Sequence, residues 1–154
     1  MRNISKHITY KEATKSRTAE AKGISNEPSS EELKAMENIA ENIFEPLRAA
    51  LGGNPLAITS FYRGKELNKV IGGSSRSQHC KGEAMDIDAD VYNKVTNKQV
   101  FEYIRANLEF DQLIWEFGND SNPSWVHVSL KNKNNRGMVL RAARTNGKTN
   151  YTLI

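Results

Sequence analysis

The stretch Ser77-Gln-His-Cys-Lys-Gly-Glu-Ala-Met-Asp-Ile-Asp88 holds the densest cluster of polar and charged side chains in the chain, and it changes character midway. Its first half carries Gly82 among polar residues and reads as the end of a glycine-bearing loop that begins at Gly72. Its second half, Glu83 to Asp88, reads as a strand. Side chains alternate along a strand, so Asp86 and Asp88 share a face, and Ala84 on that face leaves room beside Asp86. A junction of this kind can hold a carboxylate rigidly next to loop side chains.

Upstream, Leu56 to Ser60 reads as a strand and Lys65 to Ile71 as a short helix. A longer helix starts at Ser29, which forms a capping box with Glu32. Leu33, Met36, Ala40, Ile43, Leu47 and Leu51 then recur at helical spacing and predict its buried stripe. Pro46 lacks an amide donor and crowds the preceding turn, so it should kink or end the regular part, and Gly52-Gly53 stops the segment. A first helix is expected over Tyr10 to Lys22, capped by Thr9 and closed by Gly23.

Downstream, Thr96 and Gln99 form a second capping box, opening a helix with Val100, Phe101, Ile104 and Leu108 on its apolar face. Three strand-like runs follow: Gln112 to Phe117, Trp125 to Leu130 and Met138 to Ala143. A closing strand is expected over Asn150 to Ile154, after an Asn146-Gly147 hairpin turn. Helices preceding a mainly antiparallel sheet predict an α+β fold with the helices packed on one side.

At 154 residues, with 38% hydrophobic and 26% charged residues, the chain is expected to form a single domain, 1–154, with a core that needs no metal to hold it together. A metal here would serve chemistry. The single cysteine, Cys80, excludes an intramolecular disulfide. No apolar run suits a secretory signal or a membrane span, so synthesis in the cytoplasm without a signal peptide and no membrane insertion are expected. A net charge of +4 favours approach to polyanions, but the basic residues are scattered, and nucleic acid is not an expected partner.

A second notable position is His127 in Trp125-Val-His-Val-Ser129, an imidazole set in a strand with Trp125 and Ser129 on its face. Either His79 or His127 alone reads first as a core histidine satisfied by hydrogen bonds. Together with a strand carboxylate they supply three ligands for a catalytic zinc, which typically leaves its fourth position to water. Two neutral imidazoles and one carboxylate leave such an ion net positive, able to acidify water and polarise a carbonyl.

The pattern Ser-x-His-x-x-Gly-x-Ala-x-Asp, met by Ser77, His79, Gly82, Ala84 and Asp86 and followed by Trp-x-His at Trp125 and His127, resembles the zinc D-Ala-D-Ala carboxypeptidase family. The resemblance extends through Ile58-Thr-Ser-Phe-Tyr-Arg63, Leu67-Asn68 and Gly72-Gly73. It reaches upstream into Ser16-x-Thr-Ala19 and Gly23-Ile-x-Asn-x-Pro28, and it ends only near the final hairpin. It is greatest to the compact, signal-less branch found in phage and prophage genomes.

The resemblance implies the fold shared by hedgehog domains and D-Ala-D-Ala peptidases, and one zinc ion held by His79, Asp86 and His127. It implies hydrolysis of a peptide bond in D-amino-acid-containing peptidoglycan peptides, by a monomer acting on the cell wall once released or delivered. Arg63 would meet the substrate; its alternative is a surface ion pair. Ser77 would either donate to substrate or shape the loop.

Many members of that family carry an acidic residue three positions before the last histidine, where this chain has Ser124. A serine cannot act as a carboxylate base. Glu116 is the candidate, because a hairpin across Gly118 to Ser124 would set it nearly opposite His127; its alternative is an exposed strand glutamate. Asp88 is expected to orient a ligand histidine. Cys80 beside His79 makes a poor nucleophile, since neighbouring side chains point apart. A non-catalytic zinc-binding module of the same fold is the other reading that the serine motivates.

Overall fold

Caps and glycines set the helix ends. In the computed structural model, which describes residues 2–154, both capping boxes form: Ser29 opens α3 (Ser30–Ile39) and Thr96 opens α6 (Asn97–Asn107). The expected helix over residues 10–22 is instead two, α1 (Tyr10–Thr14) and α2 (Arg17–Lys22). The break has a local cause, because Ser16 leaves the helical region to accept a hydrogen bond from the Ala19 amide and start a second helix.

The regular α-helix is interrupted just before Pro46, as expected, although the chain stays helical through it. A π-helical turn, Ala40–Phe44, joins α3 to α4 (Glu45–Ala50), with Pro46 in the first turn of α4. A widened turn at that point accommodates the missing donor and the ring of the proline. The whole stretch buries Met36, Ile39, Ile43 and Leu47, the stripe that its spacing predicts.

Among the described residues one six-stranded sheet forms, in the order β1-β2-β4-β3-β5-β6. Its strands are β1 (Ala57–Ser60), β2 (Ala84–Asp88), β3 (Gln112–Glu116), β4 (Trp125–Ser129), β5 (Met138–Thr145) and β6 (Lys148–Leu153). Neighbours are antiparallel except β3 and β5, which run parallel. The short helix α5 (Lys65–Val70) follows β1. Asn146 and Gly147 both have positive φ, as the two-residue turn between β5 and β6 requires.

The two sheet faces differ in chemistry. Met85, Ile87, Leu113, Trp115, Val126 and Val128 point to one side and are buried in the main core with the α3–α4 stripe and the apolar face of α6. Phe101 of α6 meets Trp115 edge-on, with ring centroids 5.2 Å apart. Cross-strand partners share a face, so Asp86, His127, Ile114 and Leu140 stand in one row on the opposite side. The helices anchor the sheet from behind and leave this mixed row, polar at Asp86 and His127 and aliphatic at Ile114 and Leu140, facing a cleft. No helix among the described residues is long and apolar enough to cross a membrane.

Candidate metal centre and cleft

β2 and β4 bring Asp86 directly opposite His127. The third group comes from the loop, where Gln78–Lys81 forms a short 3-10 turn capped by the Ser77 side chain, which accepts from the His79 amide. Gly82 closes that turn in the left-handed conformation, φ 73°. A Cβ there would lie 2.5 Å from the Glu32 carbonyl oxygen of α3, so glycine is required twice over. This turn points the His79 ring back over the sheet.

One donor atom from each of His79, Asp86 and His127 lies within 4.8 Å of the other two. Asp86 Oδ1 is 2.9 Å from His127 Nδ1 and 3.4 Å from His79 Nε2. A tetrahedral ion with bonds near 2.1 Å sets its ligand atoms about 3.4 Å apart, so this donor set fits zinc in size and in type. The remaining nitrogen of His79 is committed, since its Nδ1 lies 2.8 Å from the Phe61 carbonyl oxygen and donates to it. That bond fixes the tautomer with Nε2 free to face the site.

The orienting partner of His79 is therefore a main-chain carbonyl and not Asp88. Asp88 instead accepts from Asn97 at 2.9 Å, within a network that ties α6 to the 123–124 backbone. A carbonyl in this role leaves no mark in the side-chain sequence; the only hint is that Phe61 lies in the Ile58-to-Arg63 run. The Arg63 amide also donates to the His79 carbonyl oxygen, at 3.2 Å, so the segment that follows β1 holds the histidine from two sides.

Electrostatics follow burial. Burial works against the Asp86 carboxylate, but His79 and His127 outweigh it and hold the group well below the usual carboxylate range. Glu116 is only 7% exposed, and burial followed by the charge of Asp86 pushes its carboxyl up to about 7. It is not an exposed strand glutamate. Its register differs from expectation, because Ile114 stands opposite His127 and Glu116 opposite Trp125. The carboxyl thus sits one pair along from the triad, on the same face.

The lining of the cleft includes Arg63, Ser77, His79, Asp86, Glu116, His127 and Tyr151, and its volume is about 980 Å³. Arg63 Nη2 donates to Ser77 Oγ at 3.4 Å, while its Nε is buried without a partner. Arg63 is thus not a surface ion pair, and its guanidinium lines the cleft beside the triad, where it suits a carbonyl or carboxylate from a ligand. Ser77 caps the turn and also accepts from Arg63, and its hydroxyl proton can still be donated. Cys80 is buried, and burial raises its thiol pKa against the pull of Arg63 and Lys65, which makes it a poor nucleophile. His7 pairs with Glu45 at 2.6 Å and takes no part in the site.

A polar network outside the motifs braces the loop. Asp111 is fully buried and accepts from Arg136 Nε at 3.1 Å and Nη2 at 2.7 Å, and from Gln78 Nε2 at 3.2 Å. Burial raises its carboxyl, but the Arg136 hydrogen bonds and charge pull it down to about 2. Gln78 adjoins His79, so this network links the metal-competent loop to the segment before β5. Neither Asp111 nor Arg136 stands out in the sequence, because each reads as an ordinary charged residue until the fold pairs them.

Residues 6–129 match the family model described as peptidase M15. A comparison with curated proteins finds no match.

Proposed function

This chain belongs to the peptidase M15 family of zinc-dependent metallopeptidases, and from that membership we propose that it hydrolyses a peptide bond in the D-amino-acid-containing peptides of bacterial peptidoglycan. The observation that carries a catalytic reading over a purely metal-binding one is Glu116. It is a buried carboxyl that lines the cleft on the same sheet face as the histidine-aspartate triad, although Ser124 stands where many relatives by motif have an acid.

His79, Asp86 and His127 would hold the zinc. When bound, the ion supplies Lewis-acid polarisation of the scissile carbonyl and a more acidic attacking water. Glu116 takes a proton from that water as its oxygen bonds to the carbonyl carbon, and delivers the proton to the amine nitrogen as the carbon–nitrogen bond breaks. Arg63 holds the substrate through a carbonyl or carboxylate, with the Ser77 hydroxyl beside it. The Phe61 carbonyl keeps His79 in its working tautomer.

The test is metal content measured together with chromatography of purified peptidoglycan digested by the wild type and by His127→Ala. About one zinc per chain, with new peptide fragments that vanish in the variant and after chelation, is the expected result. Bound zinc without fragments would support the non-catalytic module instead. The fragments themselves identify the bond, and so distinguish a carboxypeptidase from an endopeptidase.

A further inference from the structure

The family match stops at Ser129, yet the hairpin that follows, β5 and β6, lines the same cleft. Register determines which of its side chains do so. Glu116 stands opposite Ala142, and Ala142 opposite Tyr151, so Tyr151 faces Glu116 across a single methyl group. Ala142 is itself fully buried, so its methyl is covered by its neighbours, and Ile114 and Leu140 are the aliphatic side chains that line the cleft beside Glu116 and Tyr151. The Tyr151 phenol, affected by burial and then by the charges of Glu116 and Asp86, has its pKa raised and remains a hydrogen-bond donor.

Arg144 lies two residues further along β5 on that face. Its guanidinium sits 5.6 Å from the centre of the Phe117 ring, and Phe117 packs against Trp125 at 5.4 Å. Ile114, Leu140 and Ala142 form a small buried apolar cluster on the same side of the sheet. Apolar floor, aromatic flank and cationic end together match an aliphatic stem that terminates in an anion. Arginine presents a planar fork to the carboxylate.

We propose that the β5–β6 hairpin is the specificity wall of the cleft, with Tyr151 and Arg144 binding a substrate residue whose aliphatic side chain ends in a carboxylate. The proposal rests on the peptidase reading for the peptide nature of the ligand. Arg144 confers the preference for charge, whereas Tyr151 supplies contact area and a hydroxyl that do not depend on it.

Two synthetic pentapeptides of sequence L-Ala-γ-D-Glu-X-D-Ala-D-Ala test this, with X either meso-diaminopimelate or lysine, which differ by one side-chain carboxylate. Binding is measured by calorimetry to the metal-free protein, and KM and kcat to the zinc-loaded one. The wild type should bind the diaminopimelate peptide at least about tenfold more tightly, as expected for one charge-assisted hydrogen-bonded pair. Arg144→Gln should bring the two affinities, and the two KM values, within about twofold, and Tyr151→Ala should weaken both peptides alike.

Both side chains are exposed, so neither variant should endanger the fold. Equal binding of the two peptides by the wild type, or a loss in Arg144→Gln shared by both, would overturn the proposal. An Arg144-dependent preference in a protein that cleaves neither peptide would retain the wall and reject the peptidase. Cleavage of both without preference would do the reverse.

Discussion

Glu116 and His127 stand one cross-strand pair apart on the same face of the sheet, because Ile114 and not Glu116 is the direct partner of His127. The offset gives the carboxyl a position beside the triad rather than in it. A group there can exchange protons with a ligand without joining the metal's donor set.

Glu116→Gln should therefore keep its zinc and lose hydrolysis. The amide is nearly isosteric but cannot take a proton, and a positioned acid–base group contributes typically about 10²- to 10⁴-fold to rate. Metal content by elemental analysis and fragment release from peptidoglycan measure the two properties separately. A variant with full zinc and full activity would remove Glu116 from the mechanism.

The same carboxyl makes the metal-free protein sensitive to pH. Its folded pKa of about 7 exceeds its ordinary value of 4.5, so the fold favours the neutral acid. Below 4.5 both folded and unfolded states hold the proton and nothing is lost. Between 4.5 and about 7 the unfolded state releases it first, and stability falls as pH rises; above that window the loss levels off at about 3 kcal/mol. Asp86 and Asp111 are shifted the other way and act below their ordinary value of 3.8, outside this window. Denaturant titrations of the chelated protein at pH 5 and pH 8 should show the fall in the wild type and its loss in Glu116→Gln.

Asp111→Asn should destabilise the fold by about 1–3 kcal/mol, because the charge-assisted hydrogen bonds that Arg136 makes to the buried carboxylate become neutral ones while the half-exposed guanidinium stays hydrated. The depressed pKa of Asp111 adds a pH signature. Its contribution is present in full above 3.8 and is lost as pH falls through about 2. The acid unfolding midpoint of the variant should move less than its neutral-pH stability. Because Gln78 shares the Asp111 carboxylate, zinc affinity measured by competition with a chromogenic chelator should also weaken.

Gly82→Ala should cost roughly 2–4 kcal/mol, the sum of a left-handed backbone and a close contact with the Glu32 carbonyl. Thermal unfolding would record it. The strain falls on the turn that carries His79, so zinc should bind more weakly than to the wild type, whereas Gly53→Ala, at a positive φ with open space around it, should leave the metal unaffected.

Much of this molecule was legible in local sequence. The alternation in Glu83-to-Asp88 set Asp86 facing one side, the capping boxes at Ser29 and Thr96 fixed two helix starts within a residue, and Asn146-Gly147 marked the last turn. These features succeed because each depends on residues only a few positions apart. Pro46 marked the interruption of the regular helix for the same reason, but local sterics did not specify that the interruption would be a π-turn through which the buried stripe of Met36, Ile43 and Leu47 continues.

By itself, the sequence determined the α+β class through short-range period, and it pointed to His79, Asp86 and His127 as candidate ligands through the motif resemblance, because period alone left Asp86 and Asp88 equivalent on one strand face. Tertiary structure alone decided that Glu116 pairs with Trp125, that the Phe61 carbonyl orients His79, that Asp111 meets Arg136, and that Tyr151 looks across Ala142 toward the site. Strand register and main-chain partners arise from contacts between distant segments, and a backbone carbonyl has the same chemistry at every residue, so only folding selects the one that works.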